Sequence, residues 1–173
     1  ERSRGLGDVY KRQKQKSLTN KGFSLVELIV VLVIMAILAA ALVPTLIGYI
    51  KQTKQSNAKN EAASVVSAAQ TVASSAFASG DGMYYDQSQN GAAVPVVGTS
   101  ASPDTSVDGT ASAEAVTAIG KLAEIEKTKD GAITKITFDN GVVSEVQYTS
   151  GGTNVDYKVT NNKGTYSIVA NFS

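Results

Sequence analysis

The apolar and polar residues of this chain alternate with a different period in each segment. The first segment is an apolar run from Phe23 to Val43, in which Glu27 is the one charged residue. As a helix, these 21 residues would cover about 32 Å, at about 1.5 Å per residue, which matches the core of a bilayer. The run therefore predicts a membrane-spanning helix.

The next segment, from Lys51 to about Ser79, has the spacing of an amphipathic helix. Small apolar residues recur every three or four positions, at Ala58, Ala62, Val65, Val66, Ala69, Val72, Ala73, Ala76 and Phe77. With the first run they predict a helical spine of about 55 residues, roughly 80 Å if continuous. Pro44 lacks an amide donor, so we expect the helix to bend or loosen there, and an ordinary kink at the membrane exit would account for it equally well.

Residues 80–111 differ in composition and predict a connecting segment that is mostly loop. Glycine, serine, alanine, threonine, proline and aspartate dominate it. Two pairs of carboxylates, Asp81 with Asp86 and Asp104 with Asp108, are candidate calcium ligands. Aspartate beside glycine is ordinary turn chemistry, however, so we expect no metal here. Its serine and threonine residues could carry glycans if exposed, which the sequence does not decide.

Residues 112–173 predict a short helix and a four-stranded antiparallel sheet. The helix is expected from Ser112, its N-cap, to about Thr128. After this helix, apolar residues alternate with mainly polar ones, which predicts four strands. Three turn sequences separate the strands: Asp139-Asn140-Gly141, Ser150-Gly151-Gly152 and Asn161-Asn162-Lys163-Gly164. The predicted fold is α+β, with a long N-terminal spine helix packed on a C-terminal antiparallel β-meander.

The residues around the start of the apolar run resemble the processing site of type IV prepilins. Lys21-Gly22-Phe23-Ser24-Leu25-Val26-Glu27 combines a basic leader that ends in glycine, an aromatic residue, and a glutamate at the fifth position after the cut. The resemblance implies that a prepilin peptidase cleaves between Gly22 and Phe23 on the cytoplasmic side and methylates the amino group of Phe23. It also implies a pilin fold, and that the helix can melt between Pro44 and Gly48 when subunits pack into a filament.

Glu27 has two interpretations from its position alone. A charge in the middle of a membrane helix costs about 2.5–3.5 kcal/mol, and less near an end. Near the helix start, the carboxylate can reach headgroups and the positive end of the helix dipole. Alternatively, it pairs with a cation from another chain. The resemblance favours the second interpretation, with the methylated amine of Phe23 in a neighbouring subunit as the partner.

Composition and charge exclude several functions. The chain has no cysteine, histidine or tryptophan, which removes thiol and imidazole catalysis and the usual zinc ligands. Residues 1–22 have a net charge of +5 and residues 23–173 of −4, so the N-terminus is expected in the cytoplasm and the acidic part outside. The acidic balance argues against general nucleic-acid binding. Many Gram-negative pilins carry a disulfide, so its absence suggests a Gram-positive-type major pilin.

The predicted organisation starts with a leader, residues 1–22. Residues 1–13 resemble translated adapter sequence, with a longer natural leader as the alternative. The transmembrane half of the spine follows at 23–43 and its amphipathic half at 44–79. Residues 14–22 alone carry three lysines and no acid, so the predicted orientation does not depend on the first 13.

The predicted function is that of a structural subunit of a type IV pilus, used for adhesion or motility, and not an enzyme. The resemblance implies a membrane-anchored precursor that assembles into an extracellular filament of identical subunits, without a cofactor. An assembly ATPase and a membrane platform would be supplied in trans, since the chain has no nucleotide-binding loop. The alternatives are a pseudopilin of a type II secretion or DNA-uptake apparatus, and a secreted or anchored binding domain with the apolar run as a signal peptide.

Overall fold

The computed structural model describes residues 22–125 and 132–172, and the predicted leader lies almost entirely outside them. The fold is α+β, as predicted: a long helix, α1 (Leu25–Ser79), is followed by antiparallel strands and a second helix, α2 (Ala113–Leu122). The chain divides into two compact units, Glu1–Thr45 and Leu46–Ser173. All the buried core residues belong to the second unit.

Helix α1 is continuous over 55 residues. Its first turn is closed where the amide of Leu28 donates to the carbonyl oxygen of Ser24 at 3.1 Å. Pro44 lies inside the helix and does not end it. The helix ends before Gly80, whose φ of +73° is a left-handed conformation that glycine adopts without strain.

The main sheet has five antiparallel strands in the order β5-β6-β7-β8-β9. Their bounds are β5 Gly109–Thr110, β6 Ala132–Asp139, β7 Val142–Ser150, β8 Thr153–Thr160 and β9 Lys163–Val169. The predicted turns connect β6 to β9 in sequence, and Asn140 and Gly141 both have positive φ, as a two-residue hairpin requires. The prediction of four strands was wrong by one, because Gly109–Thr110 adds an edge strand beside Thr137 and Phe138.

The connecting segment also contains more regular structure than predicted. Strands β1 (Met83–Asp86) and β2 (Ala92–Pro95) form one hairpin around a 3-10 turn, and β3 (Gly98–Thr99) and β4 (Ser102–Pro103) form another. Val96 and Val107 are fully buried. Because their side chains join the core, the backbone around them loses water and satisfies its polar groups by pairing.

Helix α2 begins as predicted, with the Ser112 hydroxyl accepting from the amide of Ala115 at 2.9 Å. It ends at Leu122, so the predicted end near Thr128 was wrong; residues 126–131 lie outside the described residues. Glu124 has a φ of +53°, and the amide of Ile125 donates to the carbonyl of Gly120 at 3.1 Å. This is a Schellman motif, which satisfies the last carbonyls of the helix and turns the chain away.

The core lies between the second half of α1 and one face of the sheet. The helix contributes Ala58, Ala62, Val65, Ala68, Ala69, Val72, Ala73 and Ala76, and the sheet contributes Ile136, Phe138, Val143, Val146, Tyr148 and Val155. The side-chain amide of Gln70 binds the end of the β6–β7 hairpin: it donates to the carbonyl of Gly141 and accepts from the amide of Val143, both at 3.0 Å. This pair of bonds continues the hairpin's pairing onto the helix and holds the two elements in register.

Candidate functional site

The first half of α1 is exposed along its whole length. Every residue from Gly22 to Lys54 is exposed, and Phe23 retains 76% of its accessible surface. Among the described residues, α1 is the one helix long and apolar enough to cross a membrane, and its apolar window is not buried within the chain. A helix of a soluble core would bury such a surface, so this one requires a bilayer or other protein chains to cover it.

The exposed apolar surface continues past Val43, where the sequence analysis placed the end of the span. Leu46, Ile47, Tyr49 and Ile50 are also exposed, which lengthens the surface to about 42 Å of helix from Phe23. Tyr49 lies two residues before Lys51, and an aromatic residue near a basic one is typical of a membrane interface. The predicted bounds of the membrane span, residues 23–43 with an exit at Pro44, stay a prediction.

The predicted processing residues lie at the start of this surface. Gly22 and Phe23 come just before α1, and both are exposed, so the peptide bond between them is open to a protease. Glu27 lies in the first turn of α1, with its side chain exposed. It forms no ion pair with any residue of 22–125 or 132–172. Its carboxylate is thus near the positive helix end and available to a cation from outside the chain.

Pro44 and Gly48 both lie inside the continuous helix and are exposed. A side chain added at Gly48 would meet no atom within 4 Å. Gly48 is therefore not needed for packing within one chain. Glycine lowers helix stability by about 1 kcal/mol and proline removes a hydrogen bond, so the two residues weaken the same turns. Local melting between them in an assembly stays a prediction.

The aspartates considered as calcium ligands act within local turns. Asp81 accepts hydrogen bonds from the hydroxyls of Ser79 and Tyr85 at 2.5 and 2.6 Å and from the amide of Met83 at 2.9 Å. These bonds lower the pKa of Asp81 to about 2, and the bond from Ser79 has the largest effect. Asp86 and Asp104 accept in the same way from serines two residues on: Ser88 and Ser106. No group of three possible metal ligands occurs among the described residues.

The N-terminal segment also matches a known family. The family model described as the prokaryotic N-terminal methylation motif covers residues 18–43. No curated protein and no solved structure matches the chain. The match includes Gly22, Phe23 and Glu27 and most of the exposed apolar surface of α1. Residues 18–43 therefore carry the N-terminal methylation motif, which marks type IV pilin-like and pseudopilin-like proteins.

Proposed function

We propose that the chain is the structural subunit of a type IV pilus, made as a membrane-anchored precursor. The observation that carries the proposal is the combination of the methylation motif with an apolar helix that is exposed along its first half, uncovered by any residue of 22–125 or 132–172. Cleavage after Gly22 would leave this helix on the mature protein. Once the helix leaves the bilayer, only other copies of it can bury its surface.

Glu27 provides the selectivity of assembly in this proposal. The methylated amine of Phe23 in one subunit pairs with Glu27 of its neighbour inside the filament core. Both charges are then neutralised in an apolar environment, where an unpaired charge costs about 3–5 kcal/mol. The pair also requires a stagger between neighbouring subunits along the filament. The amine of Phe23 must lie at the level of Glu27, the fifth mature residue, of its neighbour.

The pilus is expected to serve adhesion or motility, and the subunit is not expected to be an enzyme. Its assembly would depend on an ATPase and a membrane platform in addition to the prepilin peptidase. A pseudopilin function uses the same motif and the same helix. The length of the filament that the chain forms distinguishes the two functions.

Replacing Glu27 with alanine tests the proposal. Membrane insertion and cleavage before Phe23 should continue, while the yield of sheared filaments should fall by about 100-fold or more, since each incoming subunit leaves one buried charge unpaired. Glu114→Ala removes an exposed carboxylate on α2 and should leave the yield unchanged. N-terminal sequencing and intact mass follow the processing, and electron microscopy follows the filaments.

Two outcomes would contradict the proposal. Normal filaments from the Glu27→Ala variant would exclude the charge pair. A mature N-terminus near Pro44, or a chain that is never cut, would exclude the pilin pathway and favour a secreted or anchored binding domain.

A further inference from the structure

A polar cleft lies at the start of the second half of α1, apart from the apolar surface and the processing residues. Lys51, Lys54 and Gln55 form its helical wall. The opposite wall is the β7–β8 turn and the end of β9, including Thr153 and Asn154. The cleft has a volume of about 400 Å³ and opens to solvent. All its lining residues belong to the unit Leu46–Ser173.

The cleft has a positive charge that no residue in the described part of the chain neutralises. Lys51 and Lys54 are three residues apart, so they lie on the same side of the helix. No acidic residue lines the cleft, and neither lysine forms an ion pair with a residue in the described part of the chain. Between Glu27 and Glu61 the sequence contains three lysines and no acid. The two ammonium groups are therefore free to bind an anion.

The opposite wall of the cleft is held in place by hydrogen bonds. The side-chain amide of Asn154 donates to the carbonyl of Ala170 at 2.8 Å and accepts from the hydroxyl of Thr149 at 2.9 Å. These bonds connect the β7–β8 turn to the residues that follow β9. This wall of the cleft is thus fixed by contacts within the sheet.

The position of the cleft along the chain indicates which anion it meets. Lys51 directly follows Tyr49 and Ile50, the last residues of the exposed apolar surface, and Lys54 is one helical turn further on. The headgroup layer extends about 5–7 Å beyond the bilayer core. The exposed apolar surface, about 42 Å long, exceeds a bilayer core of about 30 Å, so its two ends extend into the headgroup layers. Lys51 then lies in the outer layer, and the long side chain of Lys54, one turn further on, can extend back toward it.

We propose that this cleft binds the phosphate of an anionic phospholipid headgroup. Lys51 and Lys54 supply the charge, and the lipid holds the precursor at a fixed depth. The acidic segment 80–110 of a second copy is the other candidate, with four aspartates and no lysine or arginine. It is less favoured because Asp81, Asp86 and Asp104 already accept hydrogen bonds in their own turns. The proposal rests on the membrane-anchored precursor of the proposed function, and not on filament assembly.

Native mass spectrometry of the full chain in detergent tests the site. Dioleoylphosphatidylglycerol and dioleoylphosphatidylcholine are each titrated onto the protein. Wild type should bind the anionic phosphatidylglycerol about twentyfold more tightly than the zwitterionic phosphatidylcholine, and each lysine should contribute about fivefold to this preference. The K51Q/K54Q variant should lose this preference. The K59Q/K163Q variant removes the same charge from exposed positions that do not line the cleft, and it should keep the preference.

Several results would overturn the site. One is an equal loss of the preference for the anionic lipid in K51Q/K54Q and K59Q/K163Q. Another is the absence of this preference in wild type. Protection of Lys51 and Lys54 from acetylation by inorganic phosphate, without a lipid preference, would assign free phosphate instead. Crosslinks from Lys51 to Asp108 of another copy would assign the second copy.

Carbonate extraction separates this test from the proposed function. A chain that resists extraction but shows no preference for the anionic lipid loses only the lipid site. A chain that carbonate releases is not membrane-anchored, which contradicts the precursor itself.

Discussion

Tyr148 contributes both a ring and a hydroxyl group to the interface between α1 and the sheet. Its side chain is fully buried, and its hydroxyl donates to the carboxylate of Glu61 at 2.8 Å. Sequence alternation predicted that Tyr148 faces the helix, but it did not indicate a partner on α1, 87 positions away. Hydrogen bonds to charged groups contribute about 1.5–3 kcal/mol, so this contact is a major link between the two elements.

We predict that the domain loses stability at alkaline pH through Tyr148. Burial, and then the bond to Glu61, raise the pKa of Tyr148 to about 12, above its ordinary value of 10 in the unfolded chain. Its contribution is therefore complete below pH 10 and is lost as the pH rises to 12, by about 2–3 kcal/mol in the free energy of unfolding. Urea denaturation followed by circular dichroism between pH 9 and 12 measures this loss.

Tyr148→Phe is the matched variant for this measurement. It removes the titrating hydroxyl and keeps the ring. The difference in the free energy of unfolding between wild type and this variant should therefore shrink as the pH rises. The pKa values of Tyr85 and Tyr166 are also raised. Wild type and Tyr148→Phe both retain these two tyrosines, so their titration cancels in the comparison. A constant difference across the range would show that Tyr148 does not titrate as proposed.

At the scale of elements, alanine decides how closely α1 and the sheet approach. Six of the eight buried residues of α1 are alanines, whereas the sheet supplies larger side chains such as Phe138 and Tyr148. Small residues on the helix leave room for large ones on the strands, so the two surfaces fit together with their side chains buried. The opposite, exposed side of α1 carries serine, threonine and lysine residues that do not enter the core.

Enlarging one of these alanines should weaken the interface. Ala69 is fully buried, so Ala69→Leu adds three carbons to a filled space and should lower the free energy of unfolding by about 1–3 kcal/mol. Ser75→Leu places the same side chain on the exposed side of α1 and should change stability by less than about 0.5 kcal/mol. Equal effects of the two substitutions in a denaturant titration would show that the interface tolerates the larger side chain.

At the scale of the whole molecule, stability and assembly depend on different parts of the chain. The buried core begins at Ala58 and lies entirely within Leu46–Ser173. The methylation motif and most of the exposed apolar surface lie before it. The apolar half of α1 buries none of its residues against the described part of the chain, so the core does not depend on what covers that half.

We therefore expect residues 46–173 to fold without the preceding part of the chain. This fragment should remain in solution without detergent, unfold in one cooperative transition, and form no filaments. Size-exclusion chromatography and thermal denaturation followed by circular dichroism test this expectation. A fragment that aggregates or lacks a cooperative transition would show that the first half of α1 contributes to the core.

The sequence by itself determined the features that are encoded in consecutive residues. The apolar run, the motif from Lys21 to Glu27, the helical spacing of α1 and the turns of the meander each depend on neighbours along the chain. Their local signals are strong, so the α+β fold and the methylation motif followed from them. The roles of Pro44 and Gly48 remain predictions, since they concern an assembly of several chains.

Only the tertiary structure decided the features that join distant parts of the chain. Strand β5 has only two residues, which is too short for an alternation of apolar and polar positions to be recognised in the sequence. It pairs with β6 at the sheet edge, next to the bridge between Val97 and Ala111. Helix α2 ends where Ile125 turns into the core, although the apolar spacing continues. The lysine cleft needs α1 beside the β7–β8 turn, about 100 residues later. Packing selects such contacts from many local possibilities, so no short stretch of sequence specifies them.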